Sequence, residues 1–272
     1  VDFRSGVYKV NPVLILTHNN LELTKRCVDS VRNQDIASVV YVVDNGSTDG
    51  TARWLKDDNA VWSLHPMNMG VSFGWNDGLG RIFSTDQVYT SYENLTFHHC
   101  LVVGNDTVLA PWTYRELLSY DVPFVTGVAV DQMAQISEPP TTRPELTDNP
   151  DFSCFLIRRE CWEKVGPFDE GMKHYSSDQD FHIRAHRLGI RLCKASVPYY
   201  HERSSTIRLA SPEERLEIEA QANKDREYLR QKWGVSAGGP DYEALFRPET
   251  FGCERNRSAQ TAPSPVTRDT SV

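Results

Sequence analysis

Three uninterrupted apolar runs in the first part of the chain leave little freedom in the fold. Val13-Leu14-Ile15-Leu16, Val39-Val40-Tyr41-Val42-Val43 and Leu101-Val102-Val103 do not alternate with polar residues, which is the pattern of strands covered on both faces. Each run stops at a polar turn: Thr17-His18-Asn19-Asn20, Asp44-Asn45-Gly46-Ser47-Thr48-Asp49-Gly50 and Gly104-Asn105-Asp106-Thr107. Leu23, Cys27 and Val31 follow the first run at helical spacing, with Asn20 as candidate cap, and a helix through Trp54-Leu55 follows the second. Val61 to His65 supplies a further strand, and Trp75, Leu79 and Phe83 recur at i, i+4 and i+8. This βαβαβα order predicts an α/β protein with a mostly parallel central sheet, whose ligands collect at the carboxyl ends of the strands.

The pattern then changes. Ser84 to Phe97 is polar and reads as a surface excursion. Pro111 to Ser119 predicts a short helix, Val122 to Val130 a strand, and Asp131 to Asp151, with four prolines, a mobile loop beside the ligand edge. Phe152 to Arg158 and Arg159 to Val165 suggest a strand and a short helix before Gly166-Pro167-Phe168-Asp169. Acidic Ser177-Asp178-Gln179-Asp180 precedes Phe181, Ala185 and Leu188, and Ile190 to Ala195 and Val197 to Tyr200 are short strand candidates. Ser211-Pro212-Glu213-Glu214 is a capping box that opens a helix expected to run to Trp233-Gly234. No linker divides the chain, so a single domain over 1–250 is expected. It has halves at about 10–110 and 111–205, a helical extension at about 211–234, and a disordered tail over 251–272.

Composition narrows the function. A net charge of −8 without a basic run disfavours nucleic acid as a partner. No apolar run reaches the roughly 18 residues of a membrane span. The six cysteines are scattered without a Cys-x-x-Cys pair, which points to buried thiols in a reducing cytoplasm, with peripheral membrane association left open. Sequons begin at Asn45, Asn94, Asn105 and Asn256, two of them inside the candidate site turns.

Taken in order, Thr17-His18-Asn19, Asp44 to Gly50, Asn68-Met69-Gly70, Asn76-Asp77-Gly78, Gly104-Asn105-Asp106-Thr107, Val165 to Glu170 and Ser177 to Asp180 resemble the family 2 glycosyltransferases of the GT-A fold. The resemblance runs from about 13 to 203, and Tyr228 to Gly234 resembles a tail helix seen in some members. It implies an inverting enzyme of the hexosyl- or deoxyhexosyltransferase type. Such an enzyme moves a sugar from a UDP-, dTDP- or GDP-sugar to an acceptor hydroxyl, usually with Mn²⁺ or Mg²⁺ to neutralise the diphosphate.

By the same resemblance, Asp106 matches the last position of the family's Asp-x-Asp metal motif, here reduced to one carboxylate by Gly104 and Asn105, and His201 matches a late metal ligand. Asp178 matches the base that takes the acceptor's proton. Asp180, four residues before Arg184, is assigned a structural role. Thr17, Asn19, Asp44, Asn45, Asn68, Gly70, Asn76 and Asn105 fall at positions that hold the nucleotide sugar. Trp62, Trp75, Trp112 and Trp162 read as core, Trp162 being the one nearest the acceptor segment. A sugar nucleotidyltransferase and a catalytically silent nucleotide or carbohydrate binder are the competing readings. The acceptor, whether glycan, lipid-linked or protein, and the oligomeric state stay open.

Overall fold

The computed structural model describes residues 10–58, 61–84, 97–139, 146–147, 150–203, 208 and 210–246. The predicted tail and all of the 84–97 excursion but its ends lie outside the described residues, as do the side chain of Trp62 and parts of the 131–151 loop. The first half is the expected α/β alternation: β1 (Asn11–Thr17), α1 (Leu21–Arg32), β2 (Ser38–Asp44), α2 (Thr51–Asp57), β3 (Val61–Leu64), α3 (Val71–Phe83) and β4 (His99–Gly104). Strands β3, β2, β1 and β4 lie side by side and parallel, so Thr17, Asp44 and Gly104 end at the same sheet edge.

The second half joins the same sheet through antiparallel pairing. After β5 (Thr107–Val108) and α4 (Thr113–Leu118) come β6 (Phe124–Val130), β7 (Leu146–Thr147) and β8 (Cys154–Arg158). Then follow α5 (Arg159–Val165), α6 (Ser177–Arg187) and β9 (Cys193–His201). The sheet runs β3-β2-β1-β4-β8-β6-β9-β5, with β7 added to β9. β8 is antiparallel to both β4 and β6. The two short strand candidates around Ala195 are one strand, β9, whose pairing with β6 shifts register between Thr126 and Val128.

Two buried layers cover the sheet. One packs Cys27, Val28 and Val31 of α1 and Tyr114 of α4 against β1, β4 and β8. The other gathers Leu79 and Phe83 of α3 with Phe124, Phe155, Phe168 and Phe181. α7 (Pro212–Trp233) begins with the predicted capping box, Glu214 N–H donating to Ser211 Oγ, and ends at Gly234; α8 (Pro240–Ala244) follows. Asn20 does occupy the start of α1, but in the left-handed region and without a side-chain cap; Asp49 Oδ2 accepts from Leu21 N–H instead. No helix among the described residues is long and apolar enough to cross a membrane.

Candidate active site

The turns after β1 and β4 are locked to each other by one amide. Asn105 Nδ2 donates to Thr17 Oγ1 at 3.0 Å, to Thr24 Oγ1 at 3.1 Å and to the Asn19 carbonyl at 3.2 Å. Asn19, held at φ 57°, accepts through Oδ1 from Thr48 N–H, which ties in the turn after β2. Asn45 continues the network: its Nδ2 donates to Asn68 Oδ1 and Gly70 O, and its Oδ1 accepts from Met69 N–H. Thr17, Asn19, Asn45, Asn68 and Asn105 thus form one wall of a cleft of about 960 Å³. His18, which sequence reasoning left unassigned, joins them and donates through Nδ1 to Asn45 O at 2.9 Å.

Three of the predicted contact residues stand behind that wall. Asn76 is closed on its own chain, donating to Phe168 O and Glu170 Oε1 while its Oδ1 accepts from Phe168 N–H. Gly70 has φ 100°, and a Cβ there would lie 2.7 Å from Lys173 O. Its small size admits the protein's own 173 backbone rather than a ligand. Asp44 is fully buried; Oδ1 accepts from Ser47 N–H, and Oδ2 has no hydrogen-bond partner among the described residues.

Asp106 and His201 arrive from opposite ends of the second half. β5 pairs antiparallel with β9, placing Thr107 opposite His201, and Glu202 N–H donates to Asp106 O. The result is an Asp106 Oδ1 to His201 Nε2 separation of 3.3 Å on the cleft wall. Among the described residues no group of three His, Cys, Asp or Glu side chains could hold a metal. A carboxylate oxygen beside an imidazole nitrogen is nonetheless a donor pair that suits Mn²⁺, provided ligand oxygens or water complete the shell.

Asp178 faces the same cleft from the first turn of α6. The preceding residue pair is strained at Ser176, a buried non-glycine at φ 66°. Burial pushes the Asp178 carboxyl above the usual carboxylate range and the charge of Asp151 adds to the rise, while backbone N–H groups at the helix start oppose it. Asp180 turns the other way, as a helical offset of two requires. It is fully buried and accepts from Arg184 Nε at 2.8 Å and Trp233 Nε1 at 2.8 Å, with Lys232 Nζ at 2.7 Å. Trp162 packs 6.1 Å from Phe168 in the core, and the tryptophan that reaches the cleft is Trp75.

Residues 13–84 match the family model for glycosyl transferase family 2. The chain has the GT-A glycosyltransferase fold. Similar solved structures include GalNAc-T7 with UDP, GalNAc and Mn²⁺ (TM-score 0.54, 12% identity, 71% of this chain and 43% of that one). Others are S. aureus TarS 1-349 with UDP-GlcNAc (0.53, 17%, 89% and 77%) and Mycobacterium tuberculosis glucosyl-3-phosphoglycerate synthase with Mn²⁺, UDP and glucosyl-3-phosphoglycerate (0.56, 15%, 85% and 82%). The present chain therefore spans less than half the length of the GalNAc-T7 chain. No curated protein matches its sequence.

The glycosyltransferase fold accounts for the way the site is distributed. Parallel β1, β2 and β4 deliver one wall, Asp106 lies in the turn between β4 and β5 beside His201 at the end of β9, and the start of α6 delivers Asp178. Sequence reasoning missed the loop 173–175, which also lines the cleft, and the residue that holds it, Asp225 of α7. The available signal was a carboxylate on the apolar stripe Ala222, Asp225, Leu229, at i, i+3 and i+7.

Proposed function

We propose that this protein transfers a sugar from a nucleoside-diphosphate sugar to an acceptor hydroxyl, with inversion and with help from a divalent cation. The observation that carries the proposal is that Asp106, His201 and Asp178 line one cleft, although they come from three separate elements. The UDP, UDP-GlcNAc and Mn²⁺ in complexes of the same fold support a nucleotide-sugar donor. Asp106 and His201 would hold the cation, which when bound neutralises charge developing on the diphosphate. The Asn105 network fixes the donor wall so that little ordering is left for binding.

Asp178 would act as base. Its raised pKa brings it nearer to neutral pH and makes its ionised form a better proton acceptor than an exposed carboxylate. Proton removal then coincides with attack of the acceptor oxygen on the anomeric carbon, the bond to the diphosphate oxygen breaking on the opposite face. Release of nucleoside diphosphate from UDP-, dTDP- and GDP-sugars, with and without Mn²⁺, tests this reading. Metal-dependent release that Asp178→Asn abolishes supports it. Binding without release in the presence of varied acceptors refutes transfer in favour of a silent binder, and pyrophosphate-dependent nucleoside-triphosphate formation refutes it in favour of a nucleotidyltransferase.

A further inference from the structure

Asp225 lies on the inner face of α7 and is fully buried, yet it is not part of the cleft wall. Its carboxylate accepts from three successive backbone N–H groups, Lys173 at 3.2 Å, His174 at 2.9 Å and Tyr175 at 3.0 Å, and from Gln221 Nε2 at 2.7 Å. Consecutive amides converging in this way form an anion-holding concavity, and here the anion is the protein's own side chain. The same loop is gripped from its other face by the start of α3. Val71 N–H donates to Lys173 O, and Ser72 Oγ donates to Met172 O. Immediately beyond the gripped residues come Ser176, in the left-handed region, then Ser177 and Asp178. A buried non-glycine in that conformation persists only where its surroundings impose it.

We propose that Asp225 is a positioning residue, a clamp through which α7 fixes the loop 173–176 and so aims Asp178 across the cleft at the Asp106–His201 pair. The proposal rests on the transfer reading above. The Asp225 carboxylate itself makes no hydrogen bond to the Asn105 and Asn45 networks; the loop it holds meets that side at Lys173 O, which accepts from Val71 N–H. Without the carboxylate, three backbone amides lose their acceptor and the strained turn can relax. A shift of about 1 Å in a reacting group is enough to cost on the order of 10²-fold in rate.

The test uses the full chain with Asp225→Ala and Asp225→Asn, the second as the isostere that keeps one acceptor oxygen. Affinity for UDP and GDP with Mn²⁺ is read by calorimetry, turnover by nucleoside-diphosphate release, and loop order by amide hydrogen exchange at 173–175. The expected result is nucleotide affinity within about twofold and kcat lowered about 10- to 100-fold for Asp225→Ala and less for Asp225→Asn. Exchange should rise at 173–175 ahead of the rest of the chain. Unchanged kcat, or nucleotide affinity falling in step with kcat, would overturn the positioning role. Unchanged exchange at 173–175 would overturn the clamp whatever the activity. An unaltered chain without turnover on any donor would instead refute the transfer reading, and with it the role assigned to Asp225.

Discussion

The two walls of the cleft are held together in different ways. On the β1–β4 side, neighbouring turns of a parallel sheet grip each other directly: Asn105 holds the turn after β1, Asn19 the turn after β2, and Asn45 the segment before α3. On the Asp178 side the supports come from α7, a helix remote in sequence. Asp225 holds the loop before α6, and Lys232 and Trp233 hold Asp180 within it. A wall built from adjacent turns is rigid by construction, because every bond closes a short circuit between strands already paired. A wall braced from a distant helix depends on that helix staying docked. Asp106 belongs to the first side and Asp178 to the second, so how the two cooperate depends on where the loop braced by α7 sets Asp178.

The largest expected effect breaks the contrast at Asp178. Asp178→Asn should lower kcat on the order of 10²–10⁴-fold. It should also raise thermal stability at neutral pH. The folded-state pKa lies above the unfolded value, so the stability this group contributes is present below the unfolded pKa and is lost as pH rises through the folded one. The amide removes that loss, and thermal melts at pH 4 and pH 7 should show the gain only at the higher pH. In the unaltered protein, kcat should rise with pH through an acid limb displaced above the ordinary carboxylate range.

Asp106→Ala sharpens the comparison from the other wall. It should cost on the order of 10²–10³-fold in kcat and remove the Mn²⁺ response of nucleotide binding, while leaving amide exchange at 173–175 unchanged. Retained Mn²⁺ dependence would move the cation away from Asp106.

Gly46→Ala tests whether the donor wall is as unyielding as its bonding suggests. Its φ is 75° and a Cβ would clash with the Met67 backbone, so the fold should lose about 2–4 kcal/mol by denaturant melts. Lys232→Met should have the smallest effect, about 1.5–3 kcal/mol, since Arg184 and Trp233 remain on Asp180. A loss in kcat beyond the fraction unfolded would show that bracing from α7 reaches the base. Against the burial that would raise it, Asp169 is held below the usual carboxylate range by Lys232, the Gly171 N–H and Arg184, and that depression should shrink in the same variant.

The run of parallel strands was legible because buried strands must be continuously apolar, and the capping box of α7 because it is a local hydrogen-bond pattern. That Asp178 and Asp180 point different ways was readable from helix geometry, while which of them faces the cleft came from the family resemblance and the spacing of Asp180 to Arg184. The switch to antiparallel pairing at β8 was not, since a short apolar strand carries no mark of its neighbour's direction. Nor did the residues themselves tell that Asn76 would close on Phe168 while Asn105 would bridge three partners. An asparagine at a turn has the same chemistry in either case.

The sequence by itself determined which segments become strands and helices and which polar turns end at the ligand edge, because those outcomes depend on the spacing of apolar and turn-forming residues a few positions apart. Only the tertiary structure decided which of those turns face a common space. It alone seated Asp225 against the loop that leads into Asp178, because a buried carboxylate takes its partners from whatever backbone amides the folded chain brings to it, at any distance along the sequence.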